Sequence, residues 1–460
     1  MPSTLFQEAD TEVERDQNQK PVWIGLIIVL FVFVILETII AIKTPAYESA
    51  DEPGHVQNIQ TLLQGHWYGM KLPCQLNPHI GLLQCSGDEA QQAPLYYILF
   101  AGWQWLIGKP ALPPFNHFHV VINPAFFLGS SGIFLHHPQA QLDFLLWLRL
   151  PNIGLGVLTI ITIFFSIRLI TMDRWTPLVA ASFVAFLPRM MFLWPFVTND
   201  NLVNLGGAVF LYLCLRFILK PRLQGIGLIG VVMGMLVITK TSTLPLVIVV
   251  IGLALLGTTW KRRFEFLAVG LGGALLVSGW YLVQNMVRYG DPLARRATAH
   301  YLTVLGAPGA PSGQLHGIPE FLKFVFVQVP QRFNNTFWYL SGWNQFHWTW
   351  WVNLLFTCGL IASLVGLIGR HVDRKILLTL ISIWIAAALC VWGVALQAYN
   401  VPTAGGWQAR YAFVGIGALA GLVSLGVERW KTSLRFLLPA MGLIGAVAAI
   451  QMNVLSVNWS

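Results

Sequence analysis

Apolar residues run along this chain in long unbroken stretches instead of alternating or forming a single stripe. Stretches long enough to cross a bilayer as helices lie at 22–43, 144–170, 176–197, 201–219, 225–241, 243–260, 264–287, 350–369, 376–396, 411–427 and 436–456. A further stretch, 94–108, is about fifteen residues long and flanked by Pro. That is short for a span and reads as an interfacial or re-entrant helix. The pattern predicts an all-α polytopic membrane protein with about eleven transmembrane helices and interfacial helices in a long first outer loop. Within that loop, Val56, Ile59, Leu62 and Leu63 stand at helical spacing among Gln and Asn. Residues 56–69, ending in Trp67 and Tyr68, therefore predict an amphipathic helix lying on the membrane.

Composition agrees. Hydrophobic residues make up 56% of the 460 and charged residues 10%, where a soluble domain carries roughly 25% charge. Nineteen Trp and 29 Phe suit a bilayer and its interfaces. Residues 1–21 are polar and read as a cytoplasmic tail, without a cleavable signal peptide. Residues 22–460 read as a single transmembrane domain.

Charge sets the expected orientation. With a cytoplasmic N-terminus and a non-spanning 94–108, four basic clusters face the cytoplasm together: Lys220/Arg222, Lys261-Arg262-Arg263, Arg370/Arg374/Lys375 and Arg429/Lys431/Arg435. That arrangement satisfies the positive-inside rule in all four short loops. The same parity places loops 44–142 and 288–348, the turn around Asp200, and 397–410 on the outer side. It also requires two helices within 225–260 to turn at Thr241-Ser242-Thr243. The net charge of +9 is then loop charge that orients helices. No basic patch with interleaved aromatics stands in a soluble segment, so no nucleic-acid partner is expected. Cys214, Cys358 and Cys390 lie in apolar runs. Cys74 and Cys85 share the first outer loop, where a disulfide is chemically allowed.

The chemistry-bearing residues gather at helix ends. Asp51-Glu52-Pro53-Gly54-His55 begins just past the first span. Pro53 suits the first turn of a helix, whose N-terminal N–H groups favour anions. Asp51 there has three readings: a base for an attacking hydroxyl, a ligand for a divalent ion, or a cap. Glu52 and His55, one turn apart, would orient it. Asp200 reads as a helix cap or as a second acidic group for a metal or acceptor. Arg410 follows Gly405-Gly406-Trp407 and reads as a phosphate fork or a snorkelling anchor. Lys240 is a lone cation near a membrane boundary, for a phosphate or for an acid such as Glu37. Arg288 and Asp291 bracket a Tyr-Gly turn. His300, His316 and His347 lack metal-ligand spacing. Trp338, Trp343, Trp348, Trp350 and Trp351 read as an interfacial belt, with sugar stacking as the alternative.

Several of these segments, taken in order, resemble the GT-C class of integral-membrane glycosyltransferases, relatives of protein mannosyltransferases and lipid A aminoarabinose transferases. They are the acidic pair after the first span, Gln92 to Tyr97, Thr198-Asn199-Asp200-Asn201, Thr239-Lys240-Thr241, Trp280 through Arg288 to Pro292, and Gln408-Ala409-Arg410-Tyr411. The resemblance covers most of 20–430. Gln92 stands where such proteins usually have His, and Ala409 where they have Gly. The resemblance implies extracytoplasmic, inverting transfer of a sugar from a polyprenyl-phosphate-linked donor to a lipid, glycan or protein acceptor. Asp51, with Glu52 beside it, would be catalytic. Arg410, Lys240 and Arg288 would bind the donor phosphate, and Asp200 and His55 the acceptor or a divalent metal (Mg or Mn). The expected partners are the donor and membrane lipids, and the expected location is a bacterial plasma membrane. A transporter or lipid flippase would show inverted repeats and midplane charges, which are not evident apart from Glu37. A non-catalytic scaffold with the same fold is the other alternative.

Overall fold

The computed structural model describes residues 20–49, 51–65, 74–77, 82–85, 92–109, 139–294, 317–342, 346–399 and 407–455. Most of the tail 1–21, much of 44–142 and 288–348, the side chains of Cys74 and Cys85, and residues His300, His316, Trp343, Gly405 and Gly406 lie outside the described residues.

The protein is all-α and polytopic. Among the described residues, seven helices are long and apolar enough to cross a membrane: Lys20–Lys43, Asp143–Arg168, Asn199–Leu219, Trp260–Tyr289, Arg374–Leu396, Ala409–Val427 and Leu437–Leu455. Four shorter apolar helices, Thr176–Ala185, Leu223–Val237, Thr241–Ala254 and Trp350–Val365, take up the remaining apolar stretches. The first helix shows why these segments belong in a bilayer. Val22, Leu26, Val29, Phe33 and Ile40 pack inward while Ile24, Ile27, Ile28 and Phe31 face out, so it is apolar on every side. The Ala409–Val427 segment is 94% buried and forms the centre of the bundle, whereas Trp260–Tyr289, 22% buried, lies at its periphery.

Three segments depart from the expected helices. The stretch 176–197 is not one helix. It stops at Ala185, resumes for one turn at Pro188–Met191 and continues irregularly to Val197. Pro188 removes a backbone donor and holds Leu187 extended, at ψ 113°. Irregular backbone at this depth needs partners inside the protein. Asn201 supplies them: its Nδ2 donates to the carbonyls of Leu193, Trp194 and Phe196 at 3.3, 3.2 and 3.0 Å. Residues 225–260 break at Ile238–Lys240 and continue as a 3-10 turn, Thr241–Leu246, before Val247–Ala254.

The expected surface helix 56–69 begins earlier, as Glu52–Leu63, with Pro53 in its first turn. It buries Val56, Asn58, Ile59 and Gln60 against the rest of the protein. Leu95–Leu106, too short to span, packs against it, and Gln60 donates to Gln104 at 2.9 Å. The two helices share a small core of Val56, Ile59, Tyr96, Tyr97 and Phe100, which extends to Leu145, Leu148 and Val197. Among the described residues there are also two short hairpins, and the first pairs Cys74 with Cys85 across its strands.

Candidate active site

Glu52 and Arg149 anchor the site. Arg149 lies in the Gln139–Arg168 helix and is fully buried. Its Nη1 donates to the carbonyls of Ala41 and Thr44, both at 2.7 Å, and its Nη2 to that of Pro45 at 3.0 Å. These carbonyls at the end of the first span lack helical partners, and a cation there offsets the helix dipole. The same guanidinium grips Glu52, whose carboxylate also accepts the N–H of Tyr47 and of Val197, each at 3.3 Å. Glu52 is thus occupied in holding the 44–52 turn against the bundle, and it does not face the cluster described next.

Asp51 sits at the N-cap position but does not act as a cap, since its side chain makes no cap hydrogen bond. Its φ of 69° is left-handed, a conformation that Asp adopts more readily than most residues. This backbone turns the carboxylate toward Arg410, whose Nη2 pairs with Asp51 Oδ2. Arg410 opens the 3-10 segment Ala409–Gly415, and its Nε lies 3.6 Å from Asp200 Oδ2. Asp200 is in the first turn of the Asn199–Leu219 helix and is not its cap. Thr198 caps that helix, accepting the Asp200 N–H at 3.3 Å. Asp200 Oδ1 pairs with Lys240 Nζ at 2.5 Å. Lys240 therefore meets Asp200 and not Glu37, whose two carboxylate oxygens have no hydrogen-bond partner. Lys240 Nζ and the Arg410 guanidinium lie 4.6 and 5.6 Å from the Tyr411 ring.

Four residues distant in sequence thus converge: Asp51, Asp200, Lys240 and Arg410. His55 is next to them. It stacks on Tyr97, and its Nδ1 hydrogen-bonds the Tyr97 hydroxyl at 2.8 Å. Burial lowers the His55 pKa to about 4, so the ring is neutral at pH 7. Burial pushes the Asp51 carboxyl up, but Arg410 and His55 outweigh it and bring it down to about 2. Arg288 is not part of the group. It is exposed at the end of Trp260–Tyr289, beside Tyr289.

Sequence reasoning missed Arg189, in the Pro188–Met191 turn. It is buried, donates from Nη1 to Leu340 O and from Nη2 to Gln408 Oε1 at 2.6 Å, and adds a third cation beside Arg410. Its only signal was a charge inside an apolar stretch. Several buried polar atoms here have no hydrogen-bond partner, among them Arg189 Nε, Arg410 Nε, Asp200 Oδ2 and Asn199 Oδ1. Such atoms are rare in proteins and mark places that water or a ligand fills.

Residues 145–282 match the family of dolichyl-phosphate-mannose-protein mannosyltransferases. The resemblance read from the sequence is borne out. The matched segment contains Arg149, Arg189, Asp200 and Lys240. Among solved structures, the chain is similar to ArnT from Cupriavidus metallidurans bound to undecaprenyl phosphate, with 12% identity and TM-score 0.49 over 94% of this chain and 64% of that one. It is also similar to the archaeal oligosaccharyltransferase AglB from Archaeoglobus fulgidus in complex with an inhibitory peptide and a dolichol-phosphate, with 13% identity and TM-score 0.46 over 94% and 55%. The S. cerevisiae protein O-mannosyltransferase Pmt1-Pmt2 complex bound to the sugar donor matches with 15% identity and TM-score 0.39 over 58% and 34%. The chain thus spans less than two thirds of the length of each of these proteins. No curated protein matches it.

The cluster can also be tested as a metal site. No group of three or more His, Cys, Asp or Glu suited to a metal ion occurs among the described residues. The two carboxylates that converge, Asp51 and Asp200, reach the Arg410 guanidinium from two sides, and Lys240 takes the other oxygen of Asp200. A guanidinium thus holds the position between the carboxylates that a bridging cation would need. The residues in this arrangement do not fit a divalent ion.

Proposed function

We propose that the protein transfers a sugar from a lipid-phosphate donor to an acceptor outside the cytoplasm, at the site where Arg410 lies between Asp51 and Asp200. The convergence of Arg410, Lys240 and Arg189 on two carboxylates carries the reading. Three cations face two anions, and the surplus positive charge is available to a phosphate. The family match over 145–282, which includes Asp200 and Lys240, supports it.

In this reading the donor phosphate takes the fork of Arg410, a geometry that suits a phosphate bidentately. Asp51 then loses its guanidinium partner. A carboxyl held near pH 2 is a poor base, but without that pairing its proton affinity rises. Phosphate binding thereby releases the base only when the donor is present. Asp51 takes the proton of the acceptor hydroxyl as its oxygen attacks the anomeric carbon, and the bond from that carbon to the phosphate oxygen breaks. Arg410 and Lys240 stabilise the charge left on the departing lipid phosphate. One displacement of this kind inverts the anomeric centre.

The test is transfer from radiolabelled polyprenyl-phosphate sugars by purified protein in lipid nanodiscs. Asp51→Asn is expected to lose roughly 10²- to 10⁴-fold in rate, the usual contribution of a general base. Transfer near the wild-type rate would exclude this role for Asp51.

A further inference from the structure

A cavity of about 420 Å³ lies between the Val329–Phe337 helix, the hairpin of Leu340–Ser341 with Phe346–His347, and the start of the Trp350–Val365 helix. It shares a wall with the candidate active site. Trp407 lines it three residues before Arg410, and Thr336, also in its wall, accepts the N–H of Ala409 at 2.9 Å. Its volume is within the usual range for small-molecule sites, roughly 300–1,000 Å³.

The lining has an unusual chemistry for a membrane protein. Gln331, Asn335 and Asn353 contribute side-chain amides, and Trp348 and Trp407 contribute indoles. None of the described lining residues is acidic. The lining cation, Arg332, is engaged in the wall: its Nε donates to the Trp407 carbonyl at 2.9 Å, and its guanidinium lies 5.3 Å from the Trp407 ring. Two polar atoms are left over. Asn353 is 2% exposed, yet its Oδ1 meets no donor, and the buried Nε1 of Trp407 meets no acceptor. A buried amide oxygen without a partner is destabilising, so its retention points to a ligand that supplies the missing bond.

A lipid chain would be served better by an amide-free wall, and an anion by more free cations. Hydroxyl groups fit because each donates and accepts, as an amide side chain does. Indole rings offer broad apolar faces for the C–H side of a sugar ring. We propose that this cavity binds a neutral saccharide and is where a carbohydrate acceptor presents its hydroxyl to the Asp51–Arg410 site. The assignment to the acceptor rests on the glycosyl transfer proposed above.

The experiment measures binding first, on the full chain in nanodiscs without any lipid donor, by saturation-transfer NMR with neutral trisaccharides of mannose, galactose and glucose. At least one should bind. Asn353→Leu removes the unpartnered oxygen at similar volume, and Gln331→Ala truncates an exposed side chain, so both should fold as judged by thermal unfolding. Each is expected to weaken binding tenfold or more. No binding by wild type, or unchanged binding in both variants, would overturn the proposal. With the bound trisaccharide as acceptor, Gln331→Ala should raise the acceptor KM and leave the donor KM unchanged. A raised donor KM with an unchanged acceptor KM would mean that the sugar held is the donor's, and the acceptor assignment would fall. Binding without transfer would remove the transferase reading and keep the cavity, whereas transfer without binding would do the reverse.

Discussion

Arg149 holds Glu52 through two parallel hydrogen bonds, Nε to Oε1 at 2.9 Å and Nη2 to Oε2 at 2.7 Å, with neither side chain exposed. Breaking one half of such a pair leaves a buried charge alone, at a cost of about 3–5 kcal/mol. Arg149→Met is therefore expected to lower the yield of folded protein or to reduce its melting temperature in detergent sharply. Arg149→Met with Glu52→Leu removes both charges and should recover the part of that loss due to the lone carboxylate, but not the part due to the carbonyls of Ala41, Thr44 and Pro45 and the N–H groups of Tyr47 and Val197, which stay unpaired. If the double variant is as unstable as the single one, the brace is not what holds the 44–52 turn.

Asp51 separates charge from backbone. Asn shares the tolerance of Asp for left-handed φ, whereas Ala at φ 69° costs roughly 1 kcal/mol or more. Asp51→Asn and Asp51→Ala should be equally inactive in transfer, while Asp51→Ala unfolds at a lower temperature. Asp51→Gly, free of the Cβ penalty, should also be inactive and more stable than Asp51→Ala. Equal melting temperatures for all three would show that the left-handed turn stores no strain.

Chelation addresses the charge balance of the site directly. Arg410 stands between Asp51 and Asp200, where a divalent ion would otherwise sit. Transfer measured after dialysis against EDTA should match that with added Mg or Mn to within about twofold. Arg410→Ala, which empties the position between the carboxylates, should not be rescued by either metal, because a cation recruited there would tie up the carboxylate that serves as base. Metal-dependent recovery of the wild-type rate would show that the pairing rearranges around an ion.

What the sequence disclosed, and what it did not, follows physical lines. Apolar runs and loop charges set the bundle, since a bilayer imposes long segments whatever the tertiary detail. Asp51, Asp200, Lys240 and Arg410 were singled out because each is an ionisable group at a span boundary, and the structure brings all four together. Their pairing was hidden, because the contacts run between residues as far apart as 51 and 410. Two further charges were overlooked because each sits inside an apolar run: Arg149 braces a turn more than 90 residues earlier in the chain, and Arg189 lies in a stretch whose uniform hydropathy masked the break at Pro188. Hydropathy reports that such a charge is costly, but not which carbonyls or carboxylates receive it.

His55 predicts a pH dependence with a definite sign. Its folded pKa, about 4, is below the ordinary 6.5, so between these values the unfolded chain binds the proton and the folded one does not. Stability should therefore fall as pH drops from 6.5 to 4, with a contribution of about 3 kcal/mol by pH 4. Asp51 acts in another window. Its pKa of about 2 is below the ordinary 3.8, and its contribution is lost only in stronger acid. Melting temperatures followed from pH 7 to 4.5 should decline more steeply for wild type than for His55→Gln. Parallel curves would mean that the imidazole is not held neutral.

Gly206 and Gly207, neighbours in the Asn199–Leu219 helix, provide the last prediction. A Cβ on Gly207 would sit 1.9 Å from the carbonyl oxygen of Val414, whereas one on Gly206 would meet Leu236 Cδ2 at 2.8 Å. The first obstacle is backbone and the second is the end of a flexible side chain. Gly207→Ala must therefore push the 3-10 segment Ala409–Gly415 off the helix by more than an ångström. Arg410 opens that segment and Asp200 starts that helix, so the 3.6 Å gap between them widens. A displacement of about 1 Å in a positioning group costs roughly 10²-fold in rate. Gly207→Ala is expected to lose activity on that scale and about 1–3 kcal/mol of stability from overpacking. Gly206→Ala should change both little, because Leu236 can shift rotamer. The comparison is a transfer assay and a thermal melt on both variants. If Gly207→Ala melts early but turns over normally, the spacing of Arg410 and Asp200 does not govern the chemistry.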